Sequence, residues 1–243
     1  MTSNSPKPAF GLSVGIIGHR PNRLPQETAA IEARIDGILL SLRHAAEEAQ
    51  RRHRSAPADG PASLTLISAL AEGADRIAAR SAVRNGIALD VVLPFPVADY
   101  ERDFAEPASR TEYRQLIDAA SRVEILPGDY HAPARDYDPV GRVILDTADI
   151  ILGVWDGGPS GGKGGTTDLL RRAAARDIPI IYVDPSDRTP PRLLWSGLAD
   201  HPPGDTALGG IRSAPLAGVI GRLVDGLAKV ADQGKPRGGT DPA

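Results

Sequence analysis

The chain has 243 residues, 41% hydrophobic and 24% charged, with a formal net charge of −3 at pH 7. That suffices for one large domain with an apolar core and supplies no overall basic surface for nucleic acid. Cysteine is absent, which excludes disulfides, thiolate metal sites and a cysteine nucleophile.

Residues 1–11 carry no long apolar stretch or cleavage signature, and no run of about 18 apolar residues follows. The expectation is a flexible N-terminus on a cytoplasmic protein that does not enter a membrane. A strand is predicted over 12–17 (LSVGII), then a long helix from about Glu27 to Arg54, whose Ile31, Ile35, Ile38, Leu39 and Leu42 follow helical spacing. Next come a strand at 64–68, a helix at 74–85, a strand at 87–95, a helical region around 97–120 and a strand at 122–126. A loop at 127–138, offering a mobile lid, leads to a helix near 139–147. The strand ADIILGVW (148–155), a glycine-rich loop, a helix at 166–176 and the strand IPIIYVD (178–184) complete the alternation. The strands are continuous apolar runs, as when both sheet faces are covered. Strand and helix alternate, which argues for an α/β fold: a three-layer parallel sheet of about six strands with helices on both faces. The Pro- and Asp-rich 185–214 reads as irregular loop, a last helix covers about 215–232, and 233–243 reads as a disordered tail.

In an open parallel sheet, ligands bind beyond the carboxyl ends of the strands. Four loops fall there. In GHRPNR (18–23), Gly18 permits a tight turn and His19 and Arg20 point toward an incoming anion, or Arg20 pairs with a neighbouring carboxylate. In SALAEGADR (68–76), Gly73 permits close backbone approach, and the helix from Ala74 onward presents free N–H groups. Asp75 fits a ligand site or a plain helix cap. Glu72 would repel phosphate but could accept from a sugar hydroxyl. In PFPVADYERDF (94–104), Phe95 or Tyr100 walls a base or packs in the core.

The fourth loop, GGPSGGKGGTT (157–167), places six glycines in nine positions before a helix. It nearly fits the G-x-x-x-x-G-K-[ST] phosphate loop. Gly164 stands where the magnesium-holding hydroxyl belongs, however, and the strand before it is a late one, so a Walker-type NTPase is excluded. A helix opened by Gly164, Gly165, Thr166 and Thr167 remains, with threonines that can cap it and amides that can face an anion. Trp155 and Gly157 border it. Two or three such amides contribute about 1.5–3 kcal/mol each at best, against the roughly 8 kcal/mol that micromolar binding needs. The other loops must therefore contribute. The five histidines form no HxH or HExxH pair, so neither a metal nor another cofactor is expected.

SALAEGAD (68–75) with the late GG-x-GGTT loop resembles the Rossmann-like superfamily of DNA-processing (DprA-type) proteins, cytokinin-activating phosphoribohydrolases (lysine-decarboxylase-like) and SLOG nucleotide sensors. DprA-type proteins carry SGLARGID at the first motif, and phosphoribohydrolases carry PGGxGTxxE after a strand like 148–155. The resemblance covers about residues 12–184 and implies a Rossmann-like nucleotide-binding domain there, with 185–232 packed on it and a possible homodimer. Aligning the family's GT on Gly165–Thr166 places its catalytic Glu at Leu169, with Asp168 one residue early, about 100° around the helix. The resemblance therefore implies a module that binds or senses a nucleotide or an NAD-derived phosphorylated ligand. The alternative is a nucleoside 5′-monophosphate phosphoribohydrolase using Glu72 or Asp156, so enzymatic activity stays open. Acidic charge and few aromatics make nucleic acid an unexpected partner.

Overall fold

The computed structural model describes residues 9–53, 60–131, 137–159, 164–195 and 212–233. Residues 1–8 of the expected flexible N-terminus, 132–136 of the candidate lid, 160–163 of the glycine loop and 234–243 of the expected tail lie outside them. Eight strands, β1 (Gly11–Gly18), β2 (Ser63–Ser68), β3 (Ala88–Leu93), β4 (Arg122–Ile125), β5 (Ile150–Val154), β6 (Ile180–Val183), β7 (Arg192–Trp195) and β8 (Arg212–Pro215), form one sheet in the order β4-β3-β2-β1-β5-β6-β7-β8. β1 to β6 run parallel, and β7 is antiparallel to both β6 and β8.

The helices are α1 (Ala29–Arg52), α2 (Ala74–Arg84), α3 (Val97–Tyr100), α4 (Pro107–Asp118), α5 (Tyr137–Thr147), α6 (Thr166–Ala175) and α7 (Ile220–Gln233). The helical region predicted over 97–120 is thus broken. A 3-10 turn at Glu101–Asp103 follows α3, and Pro107, which has no amide hydrogen to give, opens α4.

The period of two along each strand explains the continuous apolar runs. Val14, Ile16, Leu66, Val91, Leu152 and Ile181 point into the larger core, under α1, α2, α4 and α7. Their neighbours Ile17, Ile67, Val92, Ile151 and Ile180 point to the opposite face, under α5 and α6. Both faces are covered, which makes the three-layer Rossmann-like α/β architecture.

Two expectations are corrected. Among the described residues the sheet has eight strands, not about six, because the stretch read as irregular from 185 to 214 contributes β7 and β8. Those strands are only four residues each and sit among prolines, too short for periodicity to reveal. The last helix accordingly starts at Ile220, since β8 takes residues up to Pro215.

Strand order also sets the switch point of the sheet, the place where open α/β sheets take ligands. From β1 the chain crosses to β2 on one side, and β5 leads to β6 on the other, so the loops leaving β1 and β5 diverge. That switch point lies between Gly18 and Val154, which are partners in the sheet register.

Candidate functional site

At the end of β1 the chain has to pass α2 at very close range. A Cβ on Gly18 would lie 2.3 Å from the Ala74 Cβ, and one on Gly73 would lie 2.4 Å from the His19 carbonyl oxygen. Gly73 also holds φ +100°, a left-handed conformation that glycine adopts without strain. The Ala74 amide donates to the His19 carbonyl at 3.1 Å. That corrects one expectation: the first amide of α2 is tied to β1 and is not free for an anion. Arg76 shapes the preceding loop. Its buried guanidinium donates to Leu70 O and Ser109 and stacks on the Phe104 ring, 4.0 Å from the centroid.

Across the switch point, Asp156 draws the two loops together. Its Oδ1 lies 2.9 Å from His19 Nε2 and accepts the Gly158 amide at 2.8 Å. Arg23 Nη2 reaches both carboxylate oxygens at 2.7 Å, and its Nε reaches Oδ2 at 3.0 Å. Burial pushes the Asp156 carboxyl up, but the Gly158 amide, His19 and Arg23 together outweigh it and hold the group down at about 2. Nothing in the local sequence singles out Arg23. It stands 133 residues from Asp156, and no local spacing links them. A Cβ on Gly158 would lie 2.3 Å from Arg23 Nη2, so a bare backbone makes room for the guanidinium. The open geometry of Gly157 serves the same turn, at φ +83°.

The start of α6 joins this frame. Thr166 Oγ1 donates to the Gly18 carbonyl at 3.0 Å. Thr167 Oγ1 accepts the Trp155 indole N–H at 2.8 Å and donates to Gly158 O at 3.1 Å. Neither threonine caps the helix: Gly165 is the N-cap and makes no side-chain cap hydrogen bond. The expectation that the two hydroxyls cap the helix and face an anion is therefore corrected; they fasten the helix to β1 and to the glycine loop. Asp168 accepts the Gly164 amide at 2.8 Å and pairs with Arg172. The first-turn amides of α6 have no acceptor within the helix, and no described residue supplies one to Thr166.

On the α2 side, Arg20 is exposed and, among the described residues, pairs with no carboxylate. Within its electrostatic reach lies Asp75, which is 7% exposed. Burial raises the Asp75 carboxyl to about 7, against the opposing pull of Arg20 and of the Ala71 and Ala69 amides, which donate to it.

The remaining candidates lie elsewhere. Phe95 is fully buried, so the expectation that it contacts a ligand is corrected. Its ring meets Tyr100, Tyr130 and Tyr137 edge-on at 6.4, 5.6 and 5.8 Å, and Tyr100 is buried with it. Glu72 accepts the Ser109 hydroxyl and lines a groove of about 810 Å³ with Pro21, Gly73, Arg76, Arg80 and Glu112. Leu169, in the slot of the family's glutamate, is buried under α5, against Gly141. Among the described residues, no group of three His, Asp or Glu side chains could hold a metal, and no helix is long and apolar enough to cross a membrane.

No family model and no curated protein matches this chain. Among solved structures it is similar to DNA processing protein A from Helicobacter pylori, a single-stranded DNA-binding protein. Identity there is 14% over 90% of this chain and 81% of that one, with a TM-score of 0.49. It is also similar to DNA processing protein A from Streptococcus pneumoniae, at 14% identity and a TM-score of 0.47 over 72% of this chain; the match spans half of that protein's length. The third is TM1055, a structural-genomics target, at 14% identity over 70% of this chain and 72% of that one, with a TM-score of 0.40. One expectation is withdrawn on this finding. Nucleic acid was the unexpected partner, and the Helicobacter pylori protein is one that binds single-stranded DNA.

Proposed function

We propose that this protein binds a nucleotide or an NAD-derived phosphorylated ligand in the mouth between β1 and β5. Its phosphate sits on the Gly165 and Thr166 amides at the start of α6, and Arg20 closes on it from the opposite wall. One observation carries the reading: Arg20, two residues beyond β1 at the switch point, is exposed and has no carboxylate partner among the described residues. Backbone amides and a planar guanidinium are suited to phosphate oxygens, and the helix dipole adds to the attraction.

Cleavage of the ligand has no comparable support. A glycosidic transition state is cationic and needs a carboxylate near the anomeric carbon. Asp156 is paired with Arg23 and His19, Glu72 accepts the Ser109 hydroxyl, and Leu169 occupies the third position.

Calorimetric titration with AMP, ADP-ribose and a short oligodeoxynucleotide tests the proposal. Binding of at least one is expected, weakened about 10- to 100-fold by Gly165→Asp. That variant places a carboxylate on the phosphate position while improving the helix cap, so the loss does not arise from unfolding. An affinity unchanged by Gly165→Asp, or no binding to any of the three, contradicts the assignment.

A further inference from the structure

Strand β4 ends the sheet. It pairs with β3 on one side, and among the described residues no strand covers the other. An open edge usually guards itself by being short and charged. β4 is short, with the sequence Arg-Val-Glu-Ile, but the guard is incomplete. Val123 and Ile125 are 36% and 49% exposed, two of the four large hydrophobic side chains exposed among the described residues. They lie in register with Val91 and Leu93, on the face of the larger core. The apolar layer therefore runs out to the edge of the sheet, where no described residue covers it.

We infer that this edge is where a second copy of the chain docks, β4 against β4, antiparallel about a two-fold axis through Val123. Two-fold symmetry makes the contact self-complementary and forces the two strands to run in opposite directions. The side chains then choose the register. With Val123 opposite Val123 of the other copy, Arg122 of each falls opposite Glu124 of the other, and Ile125 lies diagonal to Val123 across the seam. Centring the axis on Arg122 sets two arginines face to face, and centring it on Glu124 sets two glutamates face to face. A slip of a single residue matches the charged face of one strand with the apolar face of the other. Of these registers, only the one centred on Val123 satisfies both faces. Charges that protect an edge against an arbitrary strand thus attract an antiparallel copy of themselves. Arg122 rests 3.4 Å from Asp90 and from Glu124 of its own strand, at the surface, and the pairs across the axis take the place of these long contacts.

Four residues per copy make a smaller contact than the roughly 1,200 Å² that stable complexes bury, so the dimer is expected to depend on concentration. Sedimentation of the full chain from about 1 µM to about 1 mM reads it. The wild type is expected to shift from monomer to dimer across that range. Arg122→Glu and Glu124→Arg, each of which opposes like charges across the axis, are each expected to remain monomeric with unchanged melting curves. Mixed one to one, they are expected to associate, because the strand with two acids then meets the strand with two arginines. Val123→Lys opposes two ammonium groups on the axis, leaves both charge pairs in place, and is expected to stay monomeric as well. A wild type that is monomeric throughout, single variants that dimerise like the wild type, or a mixture that stays monomeric each overturns the inference.

Discussion

The two walls of the β1/β5 mouth treat charge in opposite ways. On the β5 wall, Asp156 is ringed by the Gly158 amide, His19 and Arg23, so its charge is met within the protein. On the α2 wall, Arg20 stands exposed with no carboxylate partner among the described residues, and the nearby Asp75 is buried and sits at about 7. Charges that cancel within the protein hold the loops in place. Charge left over on the other wall is what an incoming anion can meet.

Asp75 offers the largest expected effect and the most direct way to break this contrast. Its carboxyl titrates at about 7 in the folded protein, against 3.8 for the ordinary group. The folded state therefore holds a proton that the unfolded state has lost between those values, and stability falls as pH rises through that window. Asp75→Asn keeps an oxygen for the Ala69 and Ala71 amides and cannot ionise. At pH 8 it should be more stable than the wild type by up to about 4 kcal/mol, and the gap should narrow as pH falls toward about 5. Urea unfolding at the two pH values measures it. A gap that does not change with pH would falsify the assignment of Asp75 as a buried, proton-holding carboxyl.

Gly73→Ala comes next. The added methyl meets the His19 carbonyl at 2.4 Å and sits on a left-handed backbone, so a loss of about 3 kcal/mol is expected. Since the same contact places Arg20, ligand affinity should fall with stability. Chemical denaturation that shows less than about 0.5 kcal/mol of change would mean that β1 and α2 are not pressed together.

These two sites differ in how far the sequence announced them. Gly73, Gly164 and the strand ahead of the glycine loop were visible because local backbone geometry demands glycine and periodicity marks strands. The parallel order followed from the alternation of elements. The Arg23–Asp156 pair was not visible, because it is a contact between two loops that only the adjacency of β1 and β5 creates. Phe95 misled for a related reason: an aromatic at a strand end reads as a wall until its neighbours are known, and Tyr130 and Tyr137 arrive from far along the chain to cover it. Short strands among prolines, such as β7, leave no periodic signal at all.

Comparison of the two arginines sharpens the contrast further. Arg23→Ala removes the main partner of a half-buried carboxylate and should cost about 1–2 kcal/mol of stability, seen as a lower melting temperature. Arg20→Ala removes no pairing among the described residues and should leave stability within about 0.5 kcal/mol, while weakening AMP or ADP-ribose binding about 10- to 100-fold. The opposite pattern, with Arg20 structural and Arg23 dispensable, would exchange the roles of the two walls.

A crystal of the protein soaked in AMP tests the central assignment most directly. The phosphate is expected within hydrogen-bonding distance of the Gly165 and Thr166 amides, with the Arg20 guanidinium turned onto it. An ordered nucleotide in the groove beside Glu72 and Arg76, with the mouth between β1 and β5 empty, would contradict the account.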